Sequence, residues 1–253
     1  MTSAFAGRTA LVTGGASGIG LATVERFARA GCAVMLNHLP DDPAGPREAA
    51  RLRAEGLGVE TAPGDVSLPG EAEAMVARAI DRLGRLDILV NNAGTPNTRA
   101  PIPPADLDAM TEAFWARILH TNLLGPFRCT RAAAAALRAA KGAVVNTASI
   151  AGLGHLGSSL AYGASKAALI DLTRNLARAL APDCRVNAVA PGSVATPWQA
   201  EWPEERKRAA AERALLKRQC TAEDIAEAIV FLATTPAPIT GQTLVVDAGL
   251  TLG

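Results

Sequence analysis

A tyrosine and a lysine lie four positions apart in the second half of the chain, as Tyr162 and Lys166. If this stretch is helical, the two side chains project from one face, one turn apart. A tyrosine with its ordinary pKa of about 10 is a poor base at neutral pH, but a neighbouring ammonium group favours the phenolate and lowers that pKa. Reaching a pKa of about 7 requires about 4 kcal/mol of differential stabilisation. The pair therefore predicts a general acid and base, with Lys166 tuning the only tyrosine of the chain.

A glycine-rich segment near the start of the chain, Thr13–Gly20, predicts a phosphate site. The segment follows a short apolar run and precedes a helical pattern, which is the arrangement that binds dinucleotides. Glycines permit a tight turn and let the backbone approach a diphosphate closely. The free N–H groups and the positive dipole end of the following helix favour the negative charge of that diphosphate.

The elements that must position these residues alternate between strand and helix along the whole chain. Short apolar runs predict seven buried parallel strands, at Thr9–Thr13, Ala33–Asn37, Val59–Ala62, Leu86–Asn91, Ala143–Thr147, Arg185–Ala190 and Thr243–Val246. Helical spacing predicts helices at Ile19–Ala30, Pro46–Glu55, Glu71–Leu83, Asp106–Ala139, Ala161–Leu180 and Ala222–Ala233. This order predicts an α/β fold: a single Rossmann-type doubly wound domain over residues 1–253, with a seven-stranded parallel sheet and helices on both faces. The least regular stretches, Thr95–Ala105 and a substrate loop at about 193–216, are the predicted binding loops.

Composition narrows the class of protein. The chain has 253 residues, 49% of them apolar, with 25 Lys and Arg against 24 Asp and Glu. This balance argues against disorder and against nucleic-acid binding. The start of the chain lacks the pattern of a secretory signal, and no apolar run is suited to a membrane helix. The four cysteines are widely spaced, without metal-ligand or disulfide patterns. We therefore expect a cytoplasmic protein with reduced thiols, no bound metal and no membrane partner.

The motifs, taken in order, resemble those of the short-chain dehydrogenase/reductase family over essentially the whole chain. The turn has the spacing Thr13-Gly14-x-x-x-Gly18-x-Gly20, which is the pattern of that family. The segment 91–94 reads Asn-Asn-Ala-Gly, and Ser149 lies thirteen positions before Tyr162. Further similarities of the same kind are Asp65-Val66, Asn122, Pro191-Gly192, Thr196, Thr240-Gly241-Gln242 and Val246-Asp247.

The resemblance implies an oxidoreductase that uses NAD(P)(H) and four catalytic residues. Tyr162 would exchange a proton with the substrate oxygen, and Ser149 would hydrogen-bond the same oxygen. Lys166 would tune Tyr162 and hold the nicotinamide ribose, and Asn122 would position a water that links Lys166 to solvent. The implied cofactor-binding residues are Gly14, Ser17, Gly18, Ile19, Gly20, His38, Asp65, Val66, Asn92, Ala93, Gly94, Tyr162, Lys166, Pro191, Gly192, Val194 and Thr196.

The choice between NAD and NADP turns on His38. Members of the resembling family that use NAD usually carry an aspartate at the end of the second strand, where it binds the ribose hydroxyls. His38 stands at that position here, so the barrier to a 2′-phosphate is absent. Arg47 lies downstream and favours NADP(H), whereas Asp41 and Asp42 oppose it and Ser17 replaces the basic residue often found before Gly18. The sequence leans to NADP(H), with dual use open.

The substrate is a small molecule whose class the sequence leaves open. Trp198 and Trp202 on the substrate loop either cover an apolar substrate or anchor the loop, and His155 either touches a polar substrate group or has no role. No cluster of Arg or Lys in these loops demands an acidic substrate. Within the resembling family, reductases of 3-oxoacyl carrier-protein thioesters and dehydrogenases of sugars, polyols or small alcohols are all similar to this chain. Two alternatives remain: a sugar-nucleotide epimerase or dehydratase, whose chains are usually longer, and a catalytically silent nucleotide-binding regulator.

Subunit association is a further implication of the resemblance. The predicted helices Asp106–Ala139 and Ala161–Leu180 carry small, alanine-rich faces. Such faces pair subunits into dimers and tetramers in the resembling family, so a homo-oligomer is expected by analogy.

Overall fold

A computed structural model describes residues 5–253, so the first four residues of the predicted domain 1–253 lie outside the described residues. The described chain builds one seven-stranded parallel sheet in the order β3-β2-β1-β4-β5-β6-β7. The strands are β1 (Thr9–Val12), β2 (Ala33–His38), β3 (Val59–Pro63), β4 (Ile88–Asn91), β5 (Ala143–Thr147), β6 (Arg185–Pro191) and β7 (Thr243–Val246). The predicted Rossmann-type sheet is confirmed.

Residues 5–253 form eight α-helices. They are α1 (Gly18–Arg29), α2 (Ala44–Ala54), α3 (Glu71–Leu83), α4 (Glu112–Leu119), α5 (Gly125–Ala139), α6 (Leu160–Leu180), α7 (Glu204–Arg213) and α8 (Ala222–Thr234). Helices α1, α2 and α8 share one buried apolar cluster with side chains such as Val12 and Leu36. Helices α3, α5 and α6 share a second cluster with Leu11 and Leu89. Neighbouring residues of a strand face opposite sides, so both faces of the sheet are covered, as predicted.

The predicted helix Asp106–Ala139 is wrong in two places. The helix begins at Glu112, because the Thr111 side chain accepts a hydrogen bond from the Phe114 backbone N–H and caps it. A π-helical turn, His120–Leu124, then separates α4 from α5. Pro126 lies in the first turn of α5 and has no N–H to donate to the carbonyl four residues earlier, that of Asn122. The wider turn places Asn122 at full burial beside the sheet.

The predicted irregular stretch at about 193–216 contains regular structure. A 3-10 turn spans Pro197–Gln199, and α7 follows from Glu204 to Arg213. Helix α7 has no buried residue, so it lies on the surface instead of joining the core.

Candidate active site

The glycine turn lies where the strand order reverses. Strand β1 pairs with β2 on one side and with β4 on the other, and the crevice beyond such a reversal is where open α/β sheets bind ligands. Gly14 and Gly18 have φ values of +60° and +51°, which a glycine adopts without strain. Ser17 is the N-cap of α1 and makes no side-chain capping hydrogen bond. The turn and the helix end therefore present backbone groups to the crevice.

Two asparagines hold this turn in place. The Asn92 Nδ2 group, just after β4, donates to the carbonyls of Thr13 and Gly14 at 3.1 Å each. The Asn37 Oδ1 atom, on β2, accepts from the Gly14 N–H at 3.1 Å, and its Nδ2 group donates to Ala62 and Gly64. The sequence analysis did not single out Asn37, because its partner Gly14 lies 23 residues away along the chain. The turn is thus tied to three neighbouring strands.

Tyr162 and Ser149 meet at the carboxyl end of β5. Ser149 caps a 3-10 turn, Ile150–Leu153, by accepting from the Ala151 N–H at 3.1 Å. Tyr162 lies in the first turn of α6, whose N-cap Ser159 accepts from the Tyr162 N–H at 3.1 Å. The Ser149 side chain lies close enough to Tyr162 to favour the ionised form of its phenol. The two hydroxyl groups can therefore address one substrate oxygen.

Lys166 lies one helical turn after Tyr162, as the spacing predicts. Its Nζ atom donates to the Thr147 carbonyl at 2.7 Å and lies 5.7 Å from the centre of the Tyr162 ring. The residue is only 3% exposed. Thr147, the last residue of β5, was not singled out from the sequence, yet it fixes the position of the ammonium group.

Burial controls the pKa values of this pair. It raises the pKa of Tyr162 to about 12, while the Ser149 side chain opposes the rise. It lowers the pKa of Lys166 to about 8. In the protein alone, loss of solvation of the phenolate outweighs the effect of Ser149. A lowering of the Tyr162 pKa by Lys166, aided by the positive charge of an oxidised nicotinamide, stays a prediction. At neutral pH Tyr162 is protonated and able to donate.

Asn122 is held in the π-helical turn by its amide. The Nδ2 group donates to Thr95 O at 3.0 Å and to Ser165 Oγ at 3.1 Å, and Oδ1 accepts from the Thr95 N–H at 2.8 Å. A carbonyl oxygen has two lone pairs, so one remains for a further donor. A Cβ placed on Gly94 would lie 3.3 Å from Asn122 Oδ1 and 3.7 Å from Lys166 Nζ. Asn122 and Lys166 therefore flank the same glycine.

One cavity of about 850 Å³ brings most of the predicted site residues together. Three of the four predicted catalytic residues, Ser149, Tyr162 and Lys166, line it, whereas Asn122 does not. Predicted cofactor residues that line it are Gly14, Ser17, Gly18, Ile19, Asn92, Ala93, Gly94, Tyr162, Lys166, Pro191, Gly192, Val194 and Thr196. Gly20, His38, Asp65 and Val66 lie outside it.

Three of these four residues lie towards the β3 side of the sheet. His38 ends β2, is 5% exposed, and its Nε2 atom is buried without a hydrogen-bond partner in the described chain. The Asp65 carboxylate accepts from the Ser67 N–H at 2.8 Å. Val66 is buried against Gly125. Gly20, the fourth, lies in α1, where a Cβ would overlap Gly14 O.

All three predicted substrate residues, His155, Trp198 and Trp202, line the cavity. The Trp198 ring lies 5.9 Å from the Tyr162 ring, centre to centre. The structure also places Arg206, Lys207 and Arg213 of α7 in the lining. The sequence showed no basic cluster in these loops. Arg206 and Arg213 are seven positions apart, and only the helical conformation of α7 brings them to the same face.

Residues 5–253 contain neither a membrane-spanning helix nor a cluster of metal ligands. Helices in this range are either too short or too polar to cross a bilayer. Within the same range, His, Cys, Asp and Glu side chains do not form a group of three or more that could hold a metal ion. All four cysteines are free and buried.

Comparison with known proteins agrees with this geometry. A family model described as enoyl-(acyl carrier protein) reductase matches residues 14–251. The ketoacyl reductase 2 named for the granaticin polyketide synthase of Streptomyces violaceoruber is 41% identical over 243 residues, covering 95% of this chain and 94% of that protein. A cis-4-hydroxycyclohexanecarboxylate dehydrogenase of Sinomonas cyclohexanicum is 39% identical over 258 residues and covers 99% of each chain.

A solved structure supports the same conclusion. A protein from Burkholderia xenovorans, described as a short-chain dehydrogenase/reductase, superposes with a TM-score of 0.89 at 37% identity, over 97% of this chain and 98% of the other. Fold, motif order and relatives therefore agree. The chain is an oxidoreductase of the short-chain dehydrogenase/reductase family, whose members bind NAD(P)(H) and act on CH–OH or carbonyl groups.

Proposed function

We propose that this chain acts as a single domain that interconverts a carbonyl compound and a secondary alcohol with NAD(P)(H), using Tyr162 as general acid and base. The observation that carries the proposal is that Ser149, Tyr162 and Lys166 share one cavity with the glycine turn. A proton donor, a second hydrogen-bond donor and a site for a dinucleotide then lie within reach of one substrate.

The residues at the turn suit a dinucleotide. Gly14 and Gly18 have no side chains that would keep a ligand away from the backbone of the turn. A Cβ at Gly20 would overlap Gly14 O and lie 2.6 Å from Asn92 Nδ2. The uncapped start of α1 offers N–H groups and a positive dipole end to phosphate oxygens. When bound, NAD(P)(H) supplies or accepts the hydride.

Tyr162 supplies the proton that balances the hydride. In reduction, the carbonyl carbon gains the hydride and the developing alkoxide takes the proton of the Tyr162 hydroxyl, which neutral pH leaves in place. Ser149 donates a hydrogen bond to the same oxygen and holds it during the transfer. In oxidation, the phenolate removes the alcohol proton.

Lys166 and Asn122 return the proton to Tyr162. The Lys166 ammonium group favours the phenolate that remains and, in the proposed complex, binds the nicotinamide ribose. The remaining lone pair of Asn122 Oδ1 holds a water that leads from Lys166 towards solvent. Reprotonation then passes from solvent to Lys166 and on to Tyr162.

The experiment that tests the proposal follows the absorbance of the reduced nicotinamide with a panel of 3-oxoacyl thioesters, cyclic ketones, sugars, polyols and small alcohols. We expect turnover of at least one carbonyl or alcohol. Good cofactor binding with no turnover across the panel would overturn the proposal and favour a nucleotide-binding regulator. An epimerase or dehydratase is disfavoured, since the two relatives described above are named a ketoacyl reductase and a dehydrogenase.

For the cofactor, we propose a preference for NADP(H). The support is His38, which replaces the aspartate expected in members of the family that use NAD, and whose buried Nε2 atom lacks a partner in the described residues. His38→Asp should weaken NADP(H) binding by about 10- to 100-fold, as expected for a charge repelling at close range. Fluorescence titration with both cofactors measures this change.

The control for that prediction is His38→Asn, which has the shape of the aspartate without its charge. It should shift the ratio of the two dissociation constants far less than His38→Asp. An unchanged ratio in both variants would remove His38 from cofactor selection.

We also propose that the chain forms a homo-oligomer, as the family resemblance implies. Phe127 on α5 is 38% exposed, and Leu244 and Val245 on the edge strand β7 are 39% and 38% exposed. Exposed apolar side chains on the alanine-rich helix and at the open sheet edge suit contact with a second copy.

A further inference from the structure

The cavity wall around Gly157 carries hydrogen-bonding groups that no protein partner uses. Trp202 Nε1 and Ser158 Oγ are buried and have no hydrogen-bond partner among residues 5–253. Ser158 is only 1% exposed, and both residues line the cavity. A buried donor without an acceptor is costly, so native proteins satisfy it with a bound group or a water.

Arg206 adds a charged donor to the same wall. Its guanidinium carbon lies 5.0 Å from the centre of the Trp202 ring, and Nη2 donates to the Gly157 carbonyl at 3.2 Å. Within the described range Arg206 makes no ion pair, whereas its neighbour Lys207 is paired with Glu204. A guanidinium group has five N–H donors, so most of those of Arg206 remain available for a ligand.

The charged side chains of α7 that line the cavity are all positive. Arg206 and Arg213 lie on one face of α7 with Ala210 between them, and both line the cavity together with Lys207. No Asp or Glu occurs among the described residues that line it. A cleft lined by one sign of charge attracts ligands of the opposite sign, so this end of the cavity favours an anion.

We propose that the substrate is an oxo acid or hydroxy acid whose carboxylate binds Arg206 and Trp202 Nε1. This inference rests on the proposed function, because the carbonyl or alcohol of the same molecule must reach Tyr162. A planar guanidinium group matches the two oxygens of a carboxylate. Gly157 contacts both groups: its carbonyl accepts a hydrogen bond from Arg206, and a Cβ placed on it would lie 2.9 Å from Tyr162 Cδ1. Arg206 and the Tyr162 ring therefore both contact Gly157 in the wall of the same cavity.

The test compares oxo acids of graded chain length with their methyl esters, in the wild type and in variants of α7. The wild type should prefer the best acid over its ester by about 10- to 100-fold in kcat/KM, mainly through KM. Arg206→Gln should abolish that preference, chiefly by raising KM for the acid. Arg206→Lys should restore only part of it, because a lysine keeps the charge but loses the planar fork.

Arg208→Gln is the matched control, since Arg208 lies outside the cavity lining and only approaches Glu212, at 3.7 Å. It should keep the full preference for the acid. Unchanged cofactor affinity in Arg206→Gln shows that the variant folds and that Arg206 does not serve the cofactor. Loss of cofactor affinity instead would overturn the assignment, as would a stronger preference for oxo phosphonates than for oxo acids.

Failure of this inference and failure of the proposed function give different results. Equal reduction of acid and ester by the wild type overturns the carboxylate site and leaves the proposed function intact. No reduction of either overturns the proposed function for these compounds. Calorimetric titration then still decides the site: the acid should bind the cofactor-loaded wild type and bind Arg206→Gln about 10- to 100-fold more weakly, and equal binding would overturn it.

Discussion

Tyr162→Phe should lower the turnover number by at least about 100-fold, the range of general acid catalysis. The substitution removes only the phenolic hydroxyl and keeps the ring that lies 5.9 Å from Trp198. Lys166 keeps its hydrogen bond to the Thr147 carbonyl, so cofactor affinity should change little. Steady-state turnover and a fluorescence titration of the cofactor, run on the same preparation, separate the two quantities.

Trp198→Phe is the control for the packing of that ring. It should alter KM more than turnover, because Trp198 lines the cavity but offers no proton to the substrate. If Tyr162→Phe retains turnover near that of the wild type, the proton comes from another group and the proposed mechanism is wrong.

Gly20→Ala should have the second large effect, on cofactor binding. A Cβ at this position overlaps Gly14 O and lies 2.6 Å from Asn92 Nδ2, so the turn itself must move. Overpacking of this kind costs about 1–3 kcal/mol of stability, which is about 2–12 °C in Tm for a chain of this size. The moved turn should also raise the Kd for the cofactor by about 10- to 100-fold through lost phosphate contacts. Thermal unfolding and cofactor titration measure the two effects.

Gly58→Ala tests whether any added methyl group would do the same. A Cβ there lies no closer than 3.7 Å to its neighbours, outside the cofactor turn. Both Tm and cofactor Kd should stay near the wild-type values. A wild-type cofactor Kd in Gly20→Ala would show that the turn tolerates displacement and does not bind the diphosphate tightly.

The strands were predictable because a sheet buried on both faces needs continuous apolar runs. β5 and β7 match the predicted bounds, and β2 differs only by including His38. That one residue matters, since pairing with Pro63 of β3 keeps His38 in the sheet and contributes to its burial. The end of a strand depends on its neighbour, which a single segment does not reveal.

The helices were less predictable where local capping competes with periodicity. The helical pattern extends from Asp106 to Ala139. In the structure, the Thr111 cap starts α4 at Glu112, and a π-helical turn precedes Pro126 and separates α4 from α5. Helix α7 escaped prediction because it has no buried residue and therefore no apolar period. Propensity and capping, instead of burial, define such a surface helix.

The residues of the candidate site also differ in how well the sequence predicts them. The glycine turn, Ser149, Tyr162 and Lys166 could be predicted because each stands in a local motif. Asn37, Thr147 and Arg206 could not, since each acts across a distance in sequence: Asn37 on Gly14, Thr147 on Lys166, and Arg206 on Gly157. The pKa of Tyr162 depended on burial, which the spacing of the pair does not report.

The most direct test of the central claim is an absorbance titration of the tyrosinate band, with and without oxidised cofactor. Tyr162 is the only tyrosine of the chain, so the band reports one group. We predict a phenol that titrates at a pH of about 12 in the protein alone and at a markedly lower pH with oxidised cofactor, because the positive nicotinamide ring stabilises the phenolate. The same titration midpoint in both states would contradict the account.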